Sequence, residues 1–132
     1  MKKGYKGNIE KLTTENNNFR EVLYTGEHTQ LVLMSLLAGE EIGMEIHSEN
    51  DQFFRFEKGS GKVIINETEY EVVDGDAVIV PAGSRHNVVA GLDGLKMYTI
   101  YSPAHHKDGI IRTTKDEAEN NEMDFDGITT EK

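Results

Sequence analysis

The most apolar stretch of the chain is Gln30 to Leu37, and a second, Ala77 to Val80, is apolar throughout. The nearly continuous run of Gln30 to Leu37 predicts a strand buried on both faces. Between them the pattern alternates. In Met44-Glu45-Ile46-His47, Glu45 and His47 stand two apart, and in a strand such residues project from one face. Ser48-Glu49-Asn50-Asp51 reads as a turn, because Ser, Asn and Asp bond their own backbone. A further strand follows with Gln52, Phe54 and Phe56 on one face, closing at Gly59-Ser60-Gly61. Lys62 to Asn66 and Glu69 to Val73 form a hairpin pattern, and Asp74-Gly75-Asp76 turns into Ala77 to Val80. Pro81-Ala82-Gly83 fits a type I turn. His86 to Ala90 and Leu95 to Tyr101 are the last clear strands, separated by Gly91-Leu92-Asp93-Gly94. Phe19 to Tyr24 reads as an edge strand.

The flanks differ. Residues 1–18 are polar, with an ambiguous Asn8 to Leu12 and a loop at Asn16-Asn17-Asn18, and form an N-terminal extension. Residues 19–104 make the strand-rich body, and residues 105–132 a tail. In the tail Thr114-Lys115-Asp116-Glu117 is a capping-box pattern, Thr followed three later by Glu, ahead of a short acidic helix over Ala118 to Met123. Strands every ~8–12 residues with turns between them predict an all-β sandwich or small barrel, with helix only at the termini. Closing an antiparallel sheet into a barrel also removes its edges.

Composition narrows the classes. A chain of 132 residues accommodates one domain with one core. There is no cysteine, so disulfides, thiolate chemistry and sulfur ligands are excluded. The formal charge of -10 disfavours nucleic acid or an anionic membrane surface as partner. The basic start, Met-Lys-Lys-Gly-Tyr-Lys-Gly, leads into no apolar segment, and Leu31 to Met34 is too short to cross a bilayer, so a cytoplasmic location is expected.

Chemistry collects on paired strands, where Glu45, His47 and Gln52 bring an acid, an imidazole and an amide together. That grouping suggests a metal site more than a core. A second informative stretch runs Gly75-Asp-Ala-Val-Ile-Val-Pro81-Ala-Gly83-Ser-Arg-His86. With it the chain resembles the cupin superfamily. The first cupin motif has Gly, five residues, His-x-His, three or four residues, Glu, six residues, Gly. Here Gly39 is followed after five residues by Glu45-Ile46-His47, then four residues, Gln52, six residues and Gly59. The second motif has Gly, five residues, Pro-x-Gly, two residues, His, three residues, Asn. Gly75, Pro81, Gly83 and His86 match in register, and Ala90 takes the last position.

The resemblance implies a cupin-type antiparallel β-barrel (a double-stranded β-helix or jelly roll). It also implies one divalent ion held by Glu45, His47, Gln52 and His86. Relative to the family pattern, Glu45 replaces a His and Gln52 replaces the Glu, so the carboxylate has moved and the ligand charge is unchanged. Two nitrogens and two oxygens suit Mn, Fe, Co, Ni or Zn. Gln52, a neutral amide, is the weakest member, a ligand or a supporting hydrogen-bond partner. Phe54, Phe56 and Val88 are expected to line or fill the barrel. Candidate proton carriers are Tyr98, Tyr101, His105 and His106. Similar stand-alone cupins, including ones resembling the barrel of phosphomannose isomerase, imply a small-molecule ligand and a homodimer. The expected activity is metal-dependent isomerase or lyase chemistry on a sugar or small hydroxy or keto acid. A non-haem oxygenase and a ligand-binding cupin without turnover are the alternatives. No Lys or Arg on the metal-bearing strands points inward by strand parity, which counts against a phosphorylated substrate.

Overall fold

A computed structural model of the chain describes residues 1–131. Eight strands and two terminal helices follow the order α1 (Ile9–Glu15), β1 (Arg20–Thr25), β2 (Gln30–Leu36), β3 (Glu45–Ile46), β4 (Asp51–Ile65), β5 (Thr68–Val73), β6 (Ala77–Val80), β7 (Arg85–Ser102), β8 (Ile111–Arg112) and α2 (Lys115–Asn120). Every strand pairing is antiparallel. The architecture is the all-β barrel that the strand spacing and the motif resemblance predicted, with helix confined to the termini.

Two long strands, β4 and β7, build the barrel by running through both of its halves. The first part of β4 pairs with the end of β7, Gln52 opposite Tyr101, and with β6, while β7 continues the layer through β2, β1 and β8. The second part of β4 pairs with the start of β7, Ile65 opposite His86, and with β5, while β3 lies on the other side of β7. The glycines read as strand ends are therefore bends inside continuous strands. The β4–β7 register shifts between Phe56 and Lys58 and again between Gly59 and Gly61. At Gly59, φ is +93°, and a Cβ there would collide with the Gly94 carbonyl. A Cβ at Gly61 would meet the carbonyl of Val89 in the same way. Bulges and glycines re-aim strands at barrel corners by allowing this close approach.

The interior follows strand parity. Phe54, Phe56, Val63 and Val88 are completely buried, and with Val32, Met34, Leu95 and Met97 they form one apolar cluster. Phe54 and Phe56 stack with ring centroids 6.1 Å apart, so they and Val88 fill the barrel rather than line an open pocket.

The flanks are more ordered than the sequence suggested. The ambiguous Asn8 to Leu12 segment lies in α1, where the Asn8 side chain caps the helix by accepting from the Lys11 amide at 3.1 Å. The capping box at the C-terminal helix forms, with the Glu117 amide donating to Thr114 Oγ1 at 3.1 Å, and the helix spans Lys115–Asn120, earlier than Ala118 to Met123. Phe19 to Tyr24, read as an edge, is not one. The tail returns as β8 beside β1, and the Phe19 and Val22 amides donate to the Thr113 and Ile110 carbonyls.

The bend at Gly59 yields a direct test. Gly59→Ala is expected to destabilise the fold by about 2–4 kcal/mol, combining backbone strain at positive φ with overpacking. An exposed Gly4→Ala control, where a Cβ meets nothing within 4 Å, should lose far less. Equal urea midpoints for the two variants would contradict the tight crossing.

Candidate metal centre

The two-residue strand β3 is set beside β7 with Glu45 opposite His86 and Ile46 opposite Arg85. Alternation leaves Met44 and Ile46 exposed and turns Glu45 and His47 inward. The Pro81-Ala82-Gly83 turn is tied to the same spot, since the Gly83 amide donates to the His47 carbonyl at 3.0 Å. Glu45, His47 and His86 each offer a ligand atom, and the three atoms lie within 4.8 Å of one another.

Hydrogen bonding shows how each side chain is prepared. His86 Nδ1 lies 3.0 Å from the Ser84 carbonyl. A carbonyl only accepts, so Nδ1 carries the proton and Nε2 keeps its lone pair. Gln52 donates from Nε2 to Thr99 Oγ1 at 3.0 Å, which fixes the amide and leaves Oε1 free to accept. His86 Nε2, Gln52 Oε1 and His47 Nε2 are all buried without a hydrogen-bond partner among the described residues. Each unmade bond of this kind costs about 1–3 kcal/mol. The two imidazole nitrogens beside the Glu45 carboxylate fit a divalent ion held by Glu45, His47 and His86.

The electrostatics favour the metal-binding protonation states. Burial opposes ionisation of Glu45, but His47, whose Nε2 is 3.6 Å from Glu45 Oε1, and the nearby Arg20 outweigh it, so the carboxyl titrates below its usual range. Burial lowers the pKa of His86, and the hydrogen bond to Ser84 offsets this only in part. A neutral imidazole and an ionised carboxylate are the forms that ligate.

Around these residues lies a second tier of side chains. The His105 ring centroid is 4.2 Å from that of His47, and the Tyr101 and His105 rings stack at 5.4 Å. Burial lowers the pKa of His105, and burial together with Arg20 holds His106 well below the ordinary histidine range. Tyr101 is pushed the other way, by burial and by the Glu45 charge, and its hydroxyl lies 3.2 Å from His106 Nε2. The structure thus brings Tyr101, His105 and His106 to the site. Tyr98 is not among them. It is one residue out of phase with Thr99, lies on the outer face of β7, and packs against Phe53 at 6.2 Å.

Two functional neighbours escaped the sequence reading. Gln30, completely buried, donates from Nε2 to Thr25 Oγ1 and the His106 carbonyl, and accepts at Oε1 from the His105 and His106 amides. It clamps the loop that carries both histidines, and an amide inside an otherwise apolar strand was its only sequence signal. Arg20 is the other. Parity on β1 puts it on the inner face with Val22, facing Met34 of the core, but parity was applied only to the metal-bearing strands.

Comparison with known proteins agrees with this geometry. The Cupin domain family matches residues 32–101. The protein YrkC of Bacillus subtilis is 45% identical over 118 residues, covering 84% of this chain and 63% of YrkC. A protein of Acanthamoeba polyphaga mimivirus is 41% identical over 112 residues, covering 81% of this chain and 70% of that protein. The chain therefore spans about two thirds of these relatives' length. The crystal structure of BH2720 from Bacillus halodurans superposes with a TM-score of 0.88 at 40% identity, covering 90% of this chain and 96% of that one. From the matched motifs, the barrel and the histidine and carboxylate cluster it encloses, the chain belongs to the cupin family.

Proposed function

We propose that the chain holds one divalent transition metal through Glu45, His47, Gln52 and His86 and acts as a metal-dependent isomerase or lyase. Its substrate in this reading is a small oxygen-rich molecule, a sugar or a hydroxy or keto acid. The observation that supports it most is the cluster of Glu45, His47 and His86, with both imidazole Nε2 atoms buried and unpartnered, and Gln52 Oε1 is likewise left unpartnered. When bound, the ion supplies Lewis-acid polarisation of a carbonyl or hydroxyl oxygen. His105, neutral, half-buried and next to His47, is the group suited to take a proton from a ligand in the pocket. Tyr101 keeps its proton at neutral pH, so its hydroxyl, 3.2 Å from His106 Nε2, orients rather than acting as a base. Gln30 holds the His105–His106 backbone in place for this work.

A second reading, a non-haem oxygenase, is favoured by one feature: Glu45, His47 and His86 form a two-histidine, one-carboxylate set. The two separate on metal identity. Isomerase or lyase activity is expected to return with manganese or zinc as well as with iron, whereas an oxygenase is restored by ferrous ion alone and consumes oxygen.

Elemental analysis of freshly purified protein tests the ligand set. His47→Ala and His86→Ala are each expected to lose stoichiometric metal, and Glu45→Ala to bind less tightly than Gln52→Ala. Gln52→Ala should weaken the site by about 10–100-fold, the scale seen for supporting partners of metal ligands. Full metal content in both histidine variants would refute the assignment.

The buried imidazoles also make stability pH-dependent in the metal-free protein. Unfolded histidine titrates near ~6.5, and His106 in the fold titrates well below that. Between the two values the unfolded state carries more protons, so stability rises with pH and is lost as pH falls through the ordinary histidine range. His106→Gln should flatten this dependence in urea titrations at neutral and acidic pH. An unchanged slope would mean that His106 protonates in place without resistance.

A further inference from the structure

Arg20 lies on the inner face of the barrel, its Cα paired with Met34 of the core, and only 7% of its surface is exposed. Its guanidinium makes no hydrogen bond or ion pair with any described residue, and its Nε is buried and unpartnered. Its Cζ lies 5.4 Å from the centroid of the Phe19 ring. Directly across the strand pair stands a second cation, Arg112, whose Nε and Nη2 donate to the Asn121 carbonyl and which offers no neutralising charge. An unpaired buried guanidinium is costly unless a ligand completes it. Arg20 and Glu45 border the same cleft of about 210 Å³, so whatever pairs with Arg20 sits beside a candidate metal ligand.

We propose that Arg20 is an anion-binding residue of this pocket, holding the carboxylate of a small hydroxy or keto acid whose remaining oxygens face the candidate metal position. The proposal rests on the metal reading above and narrows its substrate class. Charge balance leads to it. Leaving aside the solvent-exposed Glu119 and Glu122, one divalent ion, the Glu45 carboxylate and the Arg20 guanidinium sum to two positive charges, which favours an anion beside them. A carboxylate matches the planar fork of arginine, and a monoanion suits the cleft better than a phosphate. Glu119 on α2 and Glu122 just beyond it, both exposed, line the same cleft and repel a multiply charged ligand. Neutral sugars leave Arg20 unpaired. Within the broader class of oxygen-rich molecules, the acids are therefore favoured.

Calorimetric titration of the full chain, loaded with manganese or zinc, tests this with lactate, its uncharged analogue lactamide, and glycerol 3-phosphate. Lactate is expected to bind at least ~10-fold more tightly than lactamide, the scale of a charge-assisted hydrogen bond. Arg20→Met should reduce lactate binding to the level of lactamide while leaving metal content unchanged, and Arg20→Lys should retain part of the difference. Arg20→Lys keeps the charge and the stem, so it reports even if Arg20→Met fails to fold. Lactate binding that is equal in Arg20→Met and wild type, no lactate binding at millimolar concentration, or metal loss on Arg20→Met would each overturn the proposal. Tighter, Arg20-dependent binding of glycerol 3-phosphate would overturn the carboxylate assignment. Failure of the metal reading shows separately, as full metal content in His47→Ala and His86→Ala, and the Arg20 dependence of lactate binding is still read in the same titration.

Discussion

The pairing of β4 with β7 is the constraint on which the rest of this molecule depends. The pairing sets Gln52 opposite Tyr101 at one end and, after two register shifts, Ile65 opposite His86 at the other. The bends around Gly59, Gly61 and Gly94 fold both strands so that these two ends face each other across the barrel. Because side chains alternate along a strand, a slip of one residue would turn Gln52, Phe54 and Phe56 outward together. The apolar core and the candidate metal centre are thus specified by the same register. The hydrophobic burial of Phe54, Phe56 and Val88 sets the strand positions from which the polar ligands project.

Two buried glutamines in one cross-strand row make the division between support and function visible. Gln30 and Gln52 both lie opposite Tyr101, on either side of it. Gln30 uses both ends of its amide, on Thr25, His105 and His106. Gln52 uses only its nitrogen, on Thr99, and presents an unpartnered oxygen to the site. Equal burial with unequal satisfaction distinguishes an amide that builds the fold from one left for a ligand. His86 follows the logic of Gln52: Nδ1 is engaged by Ser84 and Nε2 is left over. The supporting bonds fix orientation and tautomer, which is how outer partners tune metal ligands.

Much of the barrel was legible because hydrophobic alternation, turn residues and motif spacing all pointed the same way. Glu45, His47, Gln52 and His86 could be grouped because two motifs fell in register at once. The glycines were misread as strand ends because sequence does not distinguish a turn from a bend at which two backbones cross. α1 carries too little apolar periodicity to be identified, and its order rests on the Asn8 cap and packing against the sheet. Gln30 was hidden because its role is a hydrogen-bond inventory, visible only once the His105–His106 loop is folded over it. Arg20 was hidden differently. Its inward direction follows from parity with Val22, but a cation inside a barrel contradicts the usual burial preferences, and only the fold shows that no acid lies at ion-pair distance from it.

Charge acts on two length scales here, and they oppose each other. The chain as a whole, at -10, attracts cations and repels anions from a distance, with salt limiting the range to about a Debye length. At the site the balance changes with occupancy. Without an ion, the charges of Glu45 and Arg20 cancel, so the pocket has little to offer an acid. With a divalent ion bound to Glu45, the local charge turns positive and Arg20 has no remaining counter-charge inside the barrel. On the proposed reading, the metal thus creates the field that an acidic ligand needs, and the acid in turn relieves the repulsion between ion and guanidinium. Each ligand strengthens the binding of the other by the same factor, as linkage requires. Burial of His86, which lowers its pKa, favours this coupling, because a protonated imidazole there would repel the ion before it could recruit the acid.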